Sequence, residues 1–250
     1  MLAELAAVHK KPAREPAGSA PPERGALGAY DGELNEAGQR HGKGTMRFPS
    51  GESYEGEWQE GKAHGSGKFR YKSGAEYEGE WNSNVKEGWG TLRLPSGRVA
   101  YKGEWLSDQR CGRGKFAYPD GSMYDGQWAA NMRSGHGTFS FANGAAYDGG
   151  YSGGRKDGPG TYTFPNGFAQ VSVHEAGRPT GKGARWSVDR EQAWRLKDGK
   201  VEGTFAEPVL GEITVPLGIA EQLAAKVGLE APPRRGVEAP AVPSRTEALV

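Results

Sequence analysis

The chain of 250 residues holds one cysteine, Cys111. That excludes an internal disulfide framework and a multi-cysteine zinc site, and it makes a reducing compartment the expectation. Net charge is scarce too, with 32 Lys and Arg against 31 Asp and Glu, a formal +1; a nucleic-acid partner, which calls for clustered cations, is not expected. No apolar run approaches the roughly 20 residues of a membrane-spanning helix. Met1 to Val8 is short for a secretory signal and acidic at Glu4, so the chain reads as soluble and intracellular. Lipidation signals are missing: Leu2 stands where myristoylation needs glycine, and no cysteine lies near Val250. The histidines His9, His41, His64, His136 and His174 form no His-x-x-x-His pair. The glycine pairs lack the Lys-Ser/Thr and helix of a phosphate loop, and no nucleophile and base stand together. Neither an enzyme nor a bound metal or cofactor is expected.

What the chain has in quantity is glycine, 41 residues, and regularly placed aromatics. Tyr30, Tyr54, Tyr77, Tyr101, Tyr124 and Tyr147 recur every 23 or 24 residues. Two positions after each stands a glycine, and two further on Leu34, Trp58, Trp81, Trp105, Trp128 or Tyr151. A second run opens with paired glycines such as Gly65/Gly67 or Gly88/Gly90, and a turn glycine such as Gly74 closes the unit. Spacing of i, i+2, i+4 puts ring, glycine and ring on one face of a strand. Each unit is therefore a β-hairpin, and its repetition defines an array.

Glycine beside same-face aromatics implies rings lying over bare backbone. A single hairpin is marginal in water, whereas hairpins stacked edge to edge complete one another's ladders. With strands about 4.8 Å apart, six units make a twisted ribbon on the order of 60 Å long. The fold class expected is all-β: an elongated, single-layer, twisted antiparallel sheet of stacked hairpins, with a short C-terminal helix and disordered termini. Extra residues before Gly42 in the first unit and between Gly97 and Tyr101 in the third are read as bulged turns.

Units such as Tyr77-Glu78-Gly79-Glu80-Trp81, Gly88-Trp89-Gly90 and Gly97 resemble the MORN repeat (membrane occupation and recognition nexus), closely over residues 30–169. The resemblance implies the fold and a scaffolding role. The division expected is a flexible arm over 1–29, six repeats over 30–169, a degenerate seventh repeat and closing strand over 170–205, and a tail over 206–250. That tail carries a helix at about 217–227, where Pro216 and the spacing of Ala220, Leu223, Ala224 and Val227 suit one.

Stand-alone arrays of this kind look like MORN proteins of cilia and flagella, including radial-spoke components. This implies a structural subunit of the axoneme or cytoskeleton, located in the cytoplasm and the cilium or flagellum. Its partners would be other axonemal or cytoskeletal proteins, with self-association through the sheet as a further expectation. The partner-binding residues expected are Trp89, the ring series Tyr54, Trp58, Tyr77, Trp81, Tyr101, Trp105, Tyr124 and Trp128, and the helix residues Leu223 and Val227. Trp89 leads because it points away from the glycine side. The alternative is a peripheral, phospholipid-associated tether. For it, Lys86, Arg110, Arg133 and Arg155-Lys156 would form a basic stripe, although the 17 cations and 17 anions of residues 30–169 are interspersed.

Overall fold

Two-residue turns set the architecture. Ser83 and Asn84 both take positive φ, 49° and 72°, the geometry whose twist suits tight hairpins. The same turn recurs at Glu60-Gly61, Ser107-Asp108, Ala130-Asn131, Gly153-Gly154 and Ala176-Gly177. The computed structural model describes residues 28–202, 217–226 and 228–229. The first three hairpins are β1 (Ala29–Leu34) with β2 (Arg40–Arg47), β3 (Ser53–Gln59) with β4 (Lys62–Arg70), and β5 (Glu76–Asn82) with β6 (Val85–Arg93). Next come β7 (Val99–Leu106) with β8 (Gln109–Ala117), β9 (Met123–Ala129) with β10 (Met132–Ser140), and β11 (Ala146–Ser152) with β12 (Arg155–Thr163). Then follow β13 (Ala169–Glu175), β14 (Arg178–Trp186), β15 (Ala193–Lys197), β16 (Lys200–Val201) and the helix α1 (Leu217–Lys226).

Among the described residues these strands form one antiparallel 16-stranded sheet in strict sequence order, the all-β ribbon that the repeats imply. Between hairpins the chain uses a second turn, as at Phe48, whose carbonyl accepts from Gly51 N–H at 3.0 Å. The first unit's extra residue lies in a turn where Asn35 Oδ1 accepts from the amides of Ala37 and Gln39. In the third, the register shifts between Leu92 and Arg93, making Ala100 the bulged residue.

A row of glycines crosses the sheet from Gly32 through Gly44, Gly56, Gly67 and Gly79 to Gly160, each paired with the next. On one face the tyrosine rings fold down over this row. They alternate with the tryptophans edge to face: Tyr54 to Trp58 at 4.9 Å, Tyr54 to Trp81 at 5.3 Å, Tyr77 to Trp105 at 5.3 Å. The zigzag runs on to Tyr147 and His174. With Phe69, Leu92, Phe116, Phe139 and Tyr162 these rings form the core on one face of a single layer.

Candidate functional site

The rings first assigned to partner contact are that core. Tyr54, Tyr77, Tyr101 and Tyr124 are fully buried, and Trp58, Trp81, Trp105 and Trp128 are at most 4% exposed; they are unavailable to a partner. Each tyrosine hydroxyl donates to the carbonyl three residues on, as Tyr54 to Glu57 at 2.9 Å and Tyr101 to Glu104 at 3.0 Å. Each indole N–H reaches back one repeat, as Trp58 to Gly44 O at 3.0 Å and Trp128 to Gly114 O at 2.9 Å. The rings close because cations cover them. Arg40 stacks over Trp58 (4.3 Å), Lys86 over Trp105 (4.6 Å), Arg110 over Trp128 (4.8 Å), Arg133 over Tyr151 (5.0 Å) and Lys156 over Tyr147 (3.9 Å).

The basic stripe considered for a lipid surface is thereby corrected: Lys86, Arg110, Arg133 and Lys156 are buried, and only Arg155 is exposed. A desolvated cation over an aromatic face contributes about 2 kcal/mol, which offsets part of its burial cost. These cations also hold the next repeat's turn. Arg40 donates to Gly61 O at 2.7 Å and Arg133 to Gly154 O at 2.6 Å, while Lys86 Nζ lies 3.9 Å from Asp108. At the array's end, burial and then Arg133 bring the Lys156 ammonium down to about 7. Burial and then Lys156 bring His174 down to about 4.

The glutamates on the opposite face of these strands have a structural task. Glu57 accepts from Ser66 N–H at 3.2 Å, Glu80 from Trp89 N–H at 3.0 Å, and Glu104 from Arg113 N–H at 2.7 Å. Each carboxylate closes the bulge at the paired glycines; Gln127 does the same for His136 N–H at 2.9 Å. Gly150 occupies this position in the sixth repeat and brings no such acceptor.

Opposite the rings lies a polar face. Across its first three repeats runs an open groove of about 850 Å3, floored by Gly44, Gly56, Gly67 and Gly79 and walled by side chains such as Lys43, Glu55, Lys68 and Glu78. Trp89 rises from this face 55% exposed. Thr161 pairs with Val171 and Val171 with Ala184, so the same face turns apolar at its far end. There α1 seats Ala220 and Ala224 on Val171, Ala184, Trp186 and Ala193. Leu223 is half-buried beside Val173 and Thr180; Val227 lies outside the described residues. Burial and then Glu104 raise the Cys111 thiol above its usual range, the reverse of what activates a nucleophile. Among the described residues no three His, Cys, Asp or Glu side chains come together as a metal site, and no helix is long and apolar enough to cross a membrane.

The family model described as MORN repeat matches residues 30–53, 54–76, 77–97, 101–123, 124–146 and 147–168. The chain belongs to the MORN repeat family. Short segments of the chain resemble two curated relatives. A mouse radial spoke head 1 homolog is 54% identical over 33 residues, 13% of this chain and 11% of that protein. A carp (Cyprinus carpio) radial spoke head 1 homolog is 49% identical over 37 residues, 15% and 17%. The match thus spans less than a fifth of either relative. The MORN sheet also overlays two solved structures loosely. One is the SAS-4 TCP domain of Drosophila melanogaster with a proline-rich motif of Ana2, at TM-score 0.41 and 11% identity over 74% of this chain and 99% of that one. The other is the TCP10 domain of Danio rerio CPAP with a STIL peptide, at TM-score 0.31 and 12% identity over 68% and 84%.

Proposed function

We propose that this MORN array is a non-catalytic structural subunit of the ciliary or flagellar axoneme, of the radial-spoke kind, holding partner proteins at fixed spacing along its ribbon. The observation that carries the reading is how each repeat is clamped to the next. Indole-to-glycine hydrogen bonds, buried cations and a continuous ring zigzag join neighbouring hairpins, so the sheet serves as a stiff spacer. The local likeness to radial spoke head 1 homologs supports the axonemal setting. Burial of Lys86, Arg110, Arg133 and Lys156 weighs against the phospholipid tether, because those cations stabilise the interior instead of meeting headgroups. The division into arm, six repeats, degenerate seventh repeat and tail belongs to the same proposal, the tail adding contacts of its own.

The test is to express the tagged protein in a ciliated cell, isolate cilia and extract them with non-ionic detergent. Retention with the detergent-resistant axoneme at a fixed ratio to tubulin is expected. Release with the membrane fraction, or absence from cilia, overturns the axonemal assignment.

A further inference from the structure

Four large apolar side chains are exposed among the described residues: Leu34, Trp89, Leu106 and Met132. Three of them share one face and one stretch of the ribbon. Trp89 on β6 pairs with Glu104 on β7, and Glu104 with Cys111 on β8. The pairing of Gly112 with Trp128 sets Cys111 beside Ala129 of β9, and Ala129 pairs with Met132 on β10. Leu106, two residues beyond Glu104, is the diagonal neighbour of Trp89 on the same face. Trp89, Leu106, Cys111, Ala129 and Met132 thus make an apolar track crossing five strands, about 19 Å along the ribbon at strand spacing.

We infer that this track on the polar face of β6 to β10 is a docking site for a basic amphipathic α-helix of a partner protein. Three features of the molecule select that occupant. A chain crossing a sheet face at right angles finds the sheet's backbone groups already spent in the ladder, so it must satisfy its own, and a helix does so internally. The track's length corresponds to about 13 helical residues, enough for apolar anchors at i, i+4, i+7 and i+11. The same face already takes a helix, α1, on the apolar floor of Val171 and Ala184. Charge sets the sign: Glu104 is the cross-strand partner of Trp89, Glu80 accepts from its amide and Glu87 precedes it by two residues, three carboxylates against two cations, Lys102 at the other diagonal of Trp89 and Arg113 in the adjoining row, so flanking Lys or Arg on the partner is favoured and an acidic helix repelled. Exposed tryptophan is a residue type that concentrates binding energy.

This inference rests on the scaffold reading, but its test is independent of cilia. A displayed library of random 20-residue peptides is selected on the full chain, with Trp89→Ala protein as the counter-target. The surviving binders are expected to carry apolar residues at i, i+3 or i+4 and i+7 with net positive charge. In titrations of such a binder, Trp89→Ala and Met132→Ser should each weaken affinity at least tenfold, while Leu34→Ser, off the track, leaves it unchanged. Circular dichroism of each variant checks that the sheet is intact. Survivors that are proline-rich or acidic, or a failure to obtain any Trp89-dependent binder, overturn the inference. So does a sedimentation experiment in which Trp89→Ala converts a dimer to a monomer, since the occupant is then a second copy. Tryptophan blue shift with phosphatidylserine vesicles but with no selected peptide overturns it as well. Loss of the protein from axonemes with peptide binding preserved sinks the scaffold assignment alone.

Discussion

Replacing Gly103 with alanine sets the close approach of ring and backbone against a purely conformational cost. An added Cβ at Gly103 would sit 2.5 Å from Arg113 O and Gly114 Cα on the neighbouring strand, and 2.6 Å from Tyr101 Oη. The first two are backbone held in the β7–β8 ladder and cannot swing aside. The third is a hydroxyl bonded to Glu104 O at 3.0 Å. Overpacking of this kind costs about 3 kcal/mol, and loss of the tyrosine hydrogen bond adds about 1 kcal/mol. The reduced entropy of the unfolded chain returns about 0.5 kcal/mol, leaving a net loss of roughly 3.5 kcal/mol. Gly121 is the control: its φ is +86° and a Cβ there meets nothing within 4 Å, so alanine costs only the left-handed backbone penalty, about 1 kcal/mol. Urea unfolding followed by tryptophan fluorescence measures both, and hydrogen exchange should show protection lost first at β7 and β8 in Gly103→Ala. Equal destabilisation by the two substitutions would refute the idea that rings over bare backbone dictate the glycine row.

Glu104→Ala should destabilise by about 1 kcal/mol by removing the exposed acceptor of Arg113 N–H, whereas Glu104→Gln should be nearly neutral, because Gln127 already fills this role one repeat on; denaturant midpoints decide. His174 is held near 4 when folded against 6.5 in the open chain, so its contribution is present above pH 6.5 and lost as pH falls toward 4. Worth about 3 kcal/mol in all, this acid sensitivity should vanish in His174→Phe; an unchanged melting-temperature profile contradicts the assignment. Lys156, brought to about 7 from 10.5, makes stability rise from pH 7 toward 10, and Lys156→Met should flatten that limb. Trp128→Phe removes the indole donor to Gly114 O and should cost about 1 to 2 kcal/mol in the same unfolding assay.

The hairpins, their stacking and the ring side of each strand were legible because period and parity are counted directly in the sequence. Tyr101, Gly103 and Trp105 could share only one face if the segment was a strand, and the tight turns are written in Asn84, Asp108 and Asn131. What alternation could not convey was depth. An aromatic face on a single layer looks open to partners, yet twist, Tyr-to-Trp interdigitation and overlying cations bury Tyr54 and Trp105 almost completely. Trp89 was separable from the other tryptophans because it sits between two glycines, one position out of phase with Trp81 and Trp105. The bulge-closing role of Glu57 and Glu104 was hidden for another reason. It depends on the bulge at the paired glycines, where the register shift brings an amide toward the carboxylate.

The buried cations are the sharper case, because the signal was present and the usual inference from charge points the other way. Lys86, Arg110, Arg133 and Lys156 each follow Trp81, Trp105, Trp128 or Tyr151 by five residues. Across a two-residue turn, residue i+5 pairs with residue i, and paired residues share a face. The observed partners are Trp81 with Lys86, Trp105 with Arg110, Trp128 with Arg133, and Tyr151 with Lys156. Parity therefore assigns these side chains to the ring face even though their charge suggests water. The second repeat breaks the series with Ala63 opposite Trp58. There the following turn supplies the junction instead, through Asn84 Oδ1 accepting from Ala63 N–H at 2.8 Å. Lys86 and Arg110 keep the equivalent amide bonds, to Asp108 at 3.0 Å and Asn131 at 2.8 Å. The turn bond is thus present at the junctions of Ala63, Lys86 and Arg110, and the cation is a second clamp added to it at the latter two. Asn131→Gly should consequently weaken the Arg110 junction less than Asn84→Gly weakens the junction at Ala63, a comparison that hydrogen exchange at the two turns would read directly; the opposite order would mean that the cations add nothing to the coupling between repeats.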